Sequence, residues 1–96
     1  MTVTPPPTVL KLQDQARFLV MCYINEELEK EKKPRRRFKE EEVYLVWFSK
    51  TLENWKALVG TVFDATYYEV THSGVKRETY VDVYEKVDNV VYPDVV

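Results

Sequence analysis

The chain has 96 residues, a mass of 11.4 kDa and a net charge of -2. Size scaling gives a folded surface of ~5,800 Å² against ~16,500 Å² unfolded, which is room for one domain with one modest core and not for two. Hydrophobic residues at 45% and charged residues at 31% exclude a disordered chain, and the longest uncharged apolar run, Phe18 to Ile24, is far below the ~20 residues that span a bilayer.

Residues 1–8 read as a tail that Pro5, Pro6 and Pro7 make extended and stiff. No basic segment precedes an apolar one there, so no secretory signal is read. Thr8 is placed to cap a helix running from Val9 to about Lys33. Leu12, Ala16, Leu19, Tyr23, Ile24 and Leu28 recur at spacings of three and four, and Phe18, Val20 and Met21 widen the stripe. A stripe that broad belongs to a helix lying across a sheet. Glu26 with Lys30, and Glu29 with Lys33, are i,i+4 pairs in the favourable order, and Pro34 ends the helix.

The remainder reads mainly as β. Val43–Phe48 is β-branched and aromatic on both alternating faces, as expected of a central, doubly covered strand. Thr51–Asn54 supplies a turn, and Trp55–Phe63 a second strand in which Gly60 marks a bulge or a close approach. Tyr67–His72 is a third strand, Ser73-Gly74 a hairpin turn, and Val75–Thr79 a fourth strand. Tyr80, Val83, Tyr84 and Val87 fall at i, i+3, i+4 and i+7, and Thr79 precedes Asp82 by three, a loose capping box. These predict a short helix over Tyr80–Asp88, against the strand propensity of its valines. Val90–Tyr92 adds a short extension before Pro93. The expected fold is α+β over residues 9–92: one long N-terminal helix packed on a four-stranded antiparallel meander, then a short C-terminal helix and a tail at 93–96.

Little here suggests catalysis. His72 is the one histidine and reads as an exposed hairpin residue; Cys22 is the one cysteine and reads as a structural thiol in the helix, so neither an internal disulfide nor a thiolate metal cluster is expected. Two glycines cannot build a phosphate loop. Glu40, Glu41 and Glu42 would diverge on a strand and make a poor metal site. No catalytic residue, metal or cofactor is assigned, and the chain reads as a non-enzyme.

Charge is clustered. Lys32, Lys33, Arg35, Arg36, Arg37 and Lys39 put six positive charges into eight residues, followed at once by Glu40, Glu41 and Glu42. This basic patch, with Trp47, Trp55, Tyr67, Tyr68 and Tyr80 as stacking faces, is the case for nucleic-acid binding. Against it, the rest of the chain is acidic, the run suits a solvated loop, and both tryptophans lie in apolar runs that suit a core. Protein association fits better. One long helix covers one sheet face, the short helix covers only part of the other, and an exposed apolar patch beyond a few hundred Å² marks an interaction surface. A homodimer, or a host or phage protein partner, is expected.

Residues 43–58, Val-Tyr-Leu-Val-Trp-Phe-Ser-Lys-Thr-Leu-Glu-Asn-Trp-Lys-Ala-Leu, with Tyr67–Thr71 and Glu78–Lys86, resemble a small uncharacterised family of bacteriophage and prophage proteins of Gram-positive hosts. The resemblance covers roughly the last 55 residues. It implies an accessory protein in the host bacterial cytoplasm and carries no activity to transfer. Lys50, Thr51, Asn54 and Lys56 are the polar positions of this pattern near the first hairpin and become a candidate interaction surface; the plainer reading is that they fix the turn.

Overall fold

Helix α1 (Pro7–Lys30) crosses one face of a four-stranded antiparallel sheet in a computed structural model that describes residues 7–31 and 37–94. A 3-10 turn (Glu40–Glu42) leads into β1 (Val43–Thr51), followed by β2 (Asn54–Thr61), β3 (Tyr67–Ser73) and β4 (Glu78–Tyr84). Each strand pairs with its neighbours in chain order, β1-β2-β3-β4, giving the expected meander.

The core lies between α1 and the sheet. Ala16, Val20 and Ile24 sit one helical turn apart and are buried against Val43, Trp55, Ala57, Val59, Tyr68 and Val70. Burial follows the two-residue alternation of β2 and β3. Val20, Val43, Val59 and Val70 are fully buried, each worth roughly 1.5–3 kcal/mol relative to exposure. Tyr23 meets Tyr68 edge-on at 6.1 Å, and Trp55 is flanked by Phe48 at 5.8 Å and a stacked His72 ring at 5.4 Å. Leu12, Leu19, Met21 and Leu28 close the margins, whereas Phe18 is exposed, so the stripe is narrower than its spacing suggests.

Two polar side chains fasten the helix to the start of β1 and the segment before it. Buried Asn25 donates from Nδ2 to Phe38 O at 3.2 Å and accepts Phe38 N–H at Oδ1, 2.7 Å away. Arg17 donates from Nε to Val43 O (2.9 Å) and from Nη2 to Glu40 O (2.8 Å). Phe38 then packs edge-on against Phe63 at 4.9 Å.

Several expectations are corrected. Residues 80–84 belong to β4 rather than to a C-terminal helix, and 85–94 carry no regular structure. Tyr80, Val83 and Tyr84 fit a helical spacing, but the same stretch also alternates, with Tyr80 and Tyr84 on one side and Val81 and Val83 on the other. The two-residue pattern wins because Thr79, Val81 and Val83 pair across from His72, Val70 and Tyr68 and continue the helix-side face. The predicted fourth strand over Val75–Thr79 is mostly turn: Gly74–Arg77 form a four-residue connection with Arg77 at φ 55°. The helix spans Pro7–Lys30, so the position of Thr8 falls within it and its last residue is Lys30 rather than Lys33. Lys30 pairs with Glu27 at 2.9 Å instead of Glu26; Pro5, Pro6, Lys33 and Pro34 lie outside the described residues. Glu40–Glu42 form a turn, with the Glu42 carboxylate accepting Lys39 N–H at 2.8 Å. His72 is partly buried, bonded through Nδ1 to Thr79 Oγ1 at 2.9 Å. Finally, β1 is an edge strand and not a central one. Its second apolar face has no cover from α1.

Among the described residues the exposed large hydrophobics include Tyr44, Trp47, Tyr67, Tyr80 and Tyr84 of the uncovered face and Val87, Val90, Val91 and Tyr92 beyond β4.

Candidate functional site

Directly opposed residues of an antiparallel pair share a face, so the strand registers define what the uncovered face presents. Tyr44 lies opposite Gly60, Gly60 opposite Tyr67, and Tyr67 opposite Tyr84, a tyrosine row across all four strands. The next row is Trp47, Leu58, Glu69 and Asp82, and the next Ser49, Lys56, Thr71 and Tyr80. Between Leu45 and Trp47 the register slips by one residue. That bulge keeps Leu45 and Phe48 both on the helix side while aiming Trp47 outward. Trp47 is 40% exposed and Trp55 only 4%, so one tryptophan belongs to the core and the other to the open face. Tyr44, Tyr67, Tyr80 and Tyr84 are similarly exposed.

Gly60 makes the tyrosine row possible. A Cβ there would fall 2.7 Å from Tyr44 Cζ, because the Tyr44 ring lies over the glycine. The close approach expected of Gly60 is therefore an aromatic ring covering the gap in the sheet.

The face carries more negative than positive charge. Among its strand residues Lys56 is the one basic side chain, set 3.4 Å from the Glu69 carboxylate, while Glu78 and Asp82 are also acidic. The Tyr80 hydroxyl donates to Glu78, and that bond together with partial desolvation and the nearby charge holds its pKa above the usual tyrosine value. A shallow depression of about 480 Å³ lies toward the first hairpin, with Trp47, Ser49, Thr51, Asn54, Lys56 and Thr71 among its walls.

Three of the four polar positions singled out in the sequence meet here. Thr51, Asn54 and Lys56 line the depression. Lys50 faces the other way, opposite Trp55, with its ammonium on Leu52 O. Asn54 also has a structural role, since its Oδ1 accepts Gly74 N–H at 2.9 Å and so joins the two hairpin turns at this end of the sheet. Of the basic patch, Arg37 pairs with Glu29 near the end of α1 and Lys39 is exposed before the 3-10 turn; Lys32, Lys33, Arg35 and Arg36 lie outside the described residues. Arg37 and Lys39 precede β1 and are not among the residues of the open face.

A family model matches residues 13–94, from the second turn of α1 through β4 and the segment beyond it. The chain belongs to the DUF6275 family, a family of unknown function. No curated protein and no solved structure matches it. In this DUF6275 chain no cluster of three or more His, Cys, Asp or Glu side chains is placed to hold a metal among the described residues, and none of its described helices is long and apolar enough to cross a membrane. The open aromatic face is only half legible in the sequence. Its side chains are visible there as apolar residues on both faces of Val43–Phe48. What assigns Trp47 to the outside is the bulge, and no residue type in that stretch announces a bulge.

Proposed function

We propose that this chain is a non-enzymatic accessory protein that works by binding another protein through the open face of its sheet. One observation carries the reading. Tyr44, Trp47, Tyr67, Tyr80 and Tyr84 stand on one uncovered surface, around Leu58. Aromatic groups of this kind supply most of the energy at protein interfaces, because they bury much apolar area at little entropic cost. The matching partner has an apolar centre and basic groups to meet Glu69, Glu78 and Asp82. Such a partner is a second copy or another phage or host protein; the resemblance of residues 43–58 to phage and prophage proteins is what supports reading the role as one in the cytoplasm of a bacterial host.

The same aromatics would serve a nucleic acid as stacking platforms. The charge of the face argues for protein instead: phosphates would meet three carboxylates and a lysine already paired with one of them. Trp47 reports on both. The emission lost in a Trp47→Phe variant is that of Trp47. Single-stranded oligonucleotide at low salt should leave this emission unchanged. Protein captured from host lysate by the wild-type chain should be lost with Trp47→Ala plus Tyr67→Ala, variants that keep the α1-side core. Quenching by oligonucleotide with a steep salt slope, or capture indifferent to both substitutions, would refute the proposal.

A further inference from the structure

We infer that two copies of this chain join edge to edge through β4, with residues 85–89 of each pairing alongside β4 of the other, to form one eight-stranded sheet. This goes beyond the proposed function, since it assigns the sheet's edge and not its open face, and it commits to a second copy as the occupant.

The two edges are built differently. β1 is protected: its register slips at the bulge after Leu45, and Arg17 already occupies the Val43 carbonyl. Bulges and capped carbonyls are how edge strands avoid pairing. β4 has neither. Its register with β3 is regular from Glu78 to Tyr84, and the strand contains no proline and no lysine. It runs straight into a segment whose apolar side chains are bare: Val87 is 96% exposed and Tyr92 86%.

Charge, together with the bare segment beyond β4, favours one register. Two β4 strands related by a two-fold axis pair antiparallel about one central residue. With Asp82 central, two carboxylates would face each other; with Val83 central, Glu78 would face Asp88. Centred on Tyr84, Asp82 faces Lys86 of the second copy and Val81 faces its Val87, and symmetry repeats both pairs. Opposite charges and β-branched pairs directly across a ladder are stabilising, like charges destabilising. This register also keeps Val81, Val83 and Val87 on the helix side. The two-fold axis stands perpendicular to the sheet, so both open faces lie on the same side. The row Tyr44, Gly60, Tyr67, Tyr84 then continues through the second copy and doubles the aromatic surface.

Solution mass of the full chain tests this, together with cross-linking. A dimer is expected. Asp82→Lys or Lys86→Asp should each weaken it roughly tenfold, through two reversed pairs, and the double variant should restore it. In a Cys22→Ser background, Tyr84→Cys should be joined to its counterpart by a short bismaleimide. A chain that stays monomeric at high concentration overturns the inference. So does a dimer that ignores both charge reversals and gives no Tyr84→Cys cross-link. A dimer that ignores them and dissociates with Trp47→Ala would also overturn it, while supporting association through the open face.

Discussion

The Tyr44 ring lies over Gly60, its Cζ 2.7 Å from where a Cβ would stand. At the opposite end of the sheet Gly74 has a harder neighbour: a Cβ there would fall 2.3 Å from Glu53 Cβ and 2.7 Å from Glu53 O. Neither glycine has a positive φ, so both are required for space alone. The difference in what they touch predicts a difference in tolerance. In Gly60→Ala the tip of an exposed tyrosine swings away, and the gain in strand preference of about 0.5–1 kcal/mol offsets the lost contact. In Gly74→Ala one hairpin turn must move away from the backbone of the other, breaking the Asn54–Gly74 bond, at about 1–3 kcal/mol. Urea unfolding should show Gly60→Ala close to wild type and Gly74→Ala clearly destabilised.

Two turns hold non-glycine residues in the left-handed region, Leu52 and Arg77, each at φ 55°. That conformation costs a side-chain-bearing residue roughly 1–2 kcal/mol, and glycine or asparagine much less. Leu52 is 84% exposed at the tip of the β1–β2 turn and has little packing to lose. Leu52→Asn and Arg77→Gly should each raise stability by about 0.5–1 kcal/mol after the greater chain entropy of the replacement is counted. Thermal melting of the two variants and their combination checks it; the turns touch through Glu53, Asn54 and Gly74, so the combined gain should depart from the simple sum.

The α+β architecture, the long helix and the meander are legible in the sequence because their signals are dense. Ala16, Val20 and Ile24 lie on a 3.6-residue period, and β2 alternates cleanly between core and surface. The end of the chain is not legible. Tyr80-Val81-Asp82-Val83-Tyr84 fits either period, and only pairing with β3 decides. Trp47 escapes a reading by alternation because the one-residue bulge reverses the pattern partway along β1. Of the candidate polar site, Lys50 falls on the other face for the same reason: counting straight from Val43, without the slip, puts it with Tyr44. Asn25 and Arg17 carry no signal of their roles, because a helix records only that it holds a polar residue, not that a loop bends back to meet it.

Tyr68 predicts an alkaline weakness. Burial beneath α1, with Asp64 and Tyr23 nearby, pushes its pKa up to about 12 from the usual 10. The protonated form is the one the fold prefers, so the stabilisation is complete below pH 10 and is lost as pH rises from 10 through 12. The loss is on the order of 2 kcal/mol. Tyr68→Phe cannot ionise. The stability difference between wild type and this variant, followed by denaturant unfolding from pH 9 to 12, should shift against wild type across that window. A difference independent of pH would mean that Tyr68 ionises as freely in the fold as in the unfolded chain.

Asn25 gives the sharpest chemical test of how the helix is fastened to the strand segment. Its amide is matched to one residue's backbone, donating to Phe38 O and accepting Phe38 N–H. Asn25→Ala leaves both backbone groups without this partner in a partly buried place, at about 2–3 kcal/mol. Asn25→Asp keeps the acceptor but sets a carboxylate oxygen against the Phe38 carbonyl. A protonated carboxylic acid can donate where the amide did, so the fold favours the neutral form and raises the pKa of the introduced group above its unfolded value of about 3.9. The Asn25→Asp variant is therefore tolerated best at low pH and worst at neutral pH. Unfolding free energies should show the Asn25→Asp penalty growing between pH 4 and pH 7, while the Asn25→Ala penalty stays constant. Equal penalties for the two variants at every pH would mean that the Nδ2 bond to Phe38 O contributes nothing.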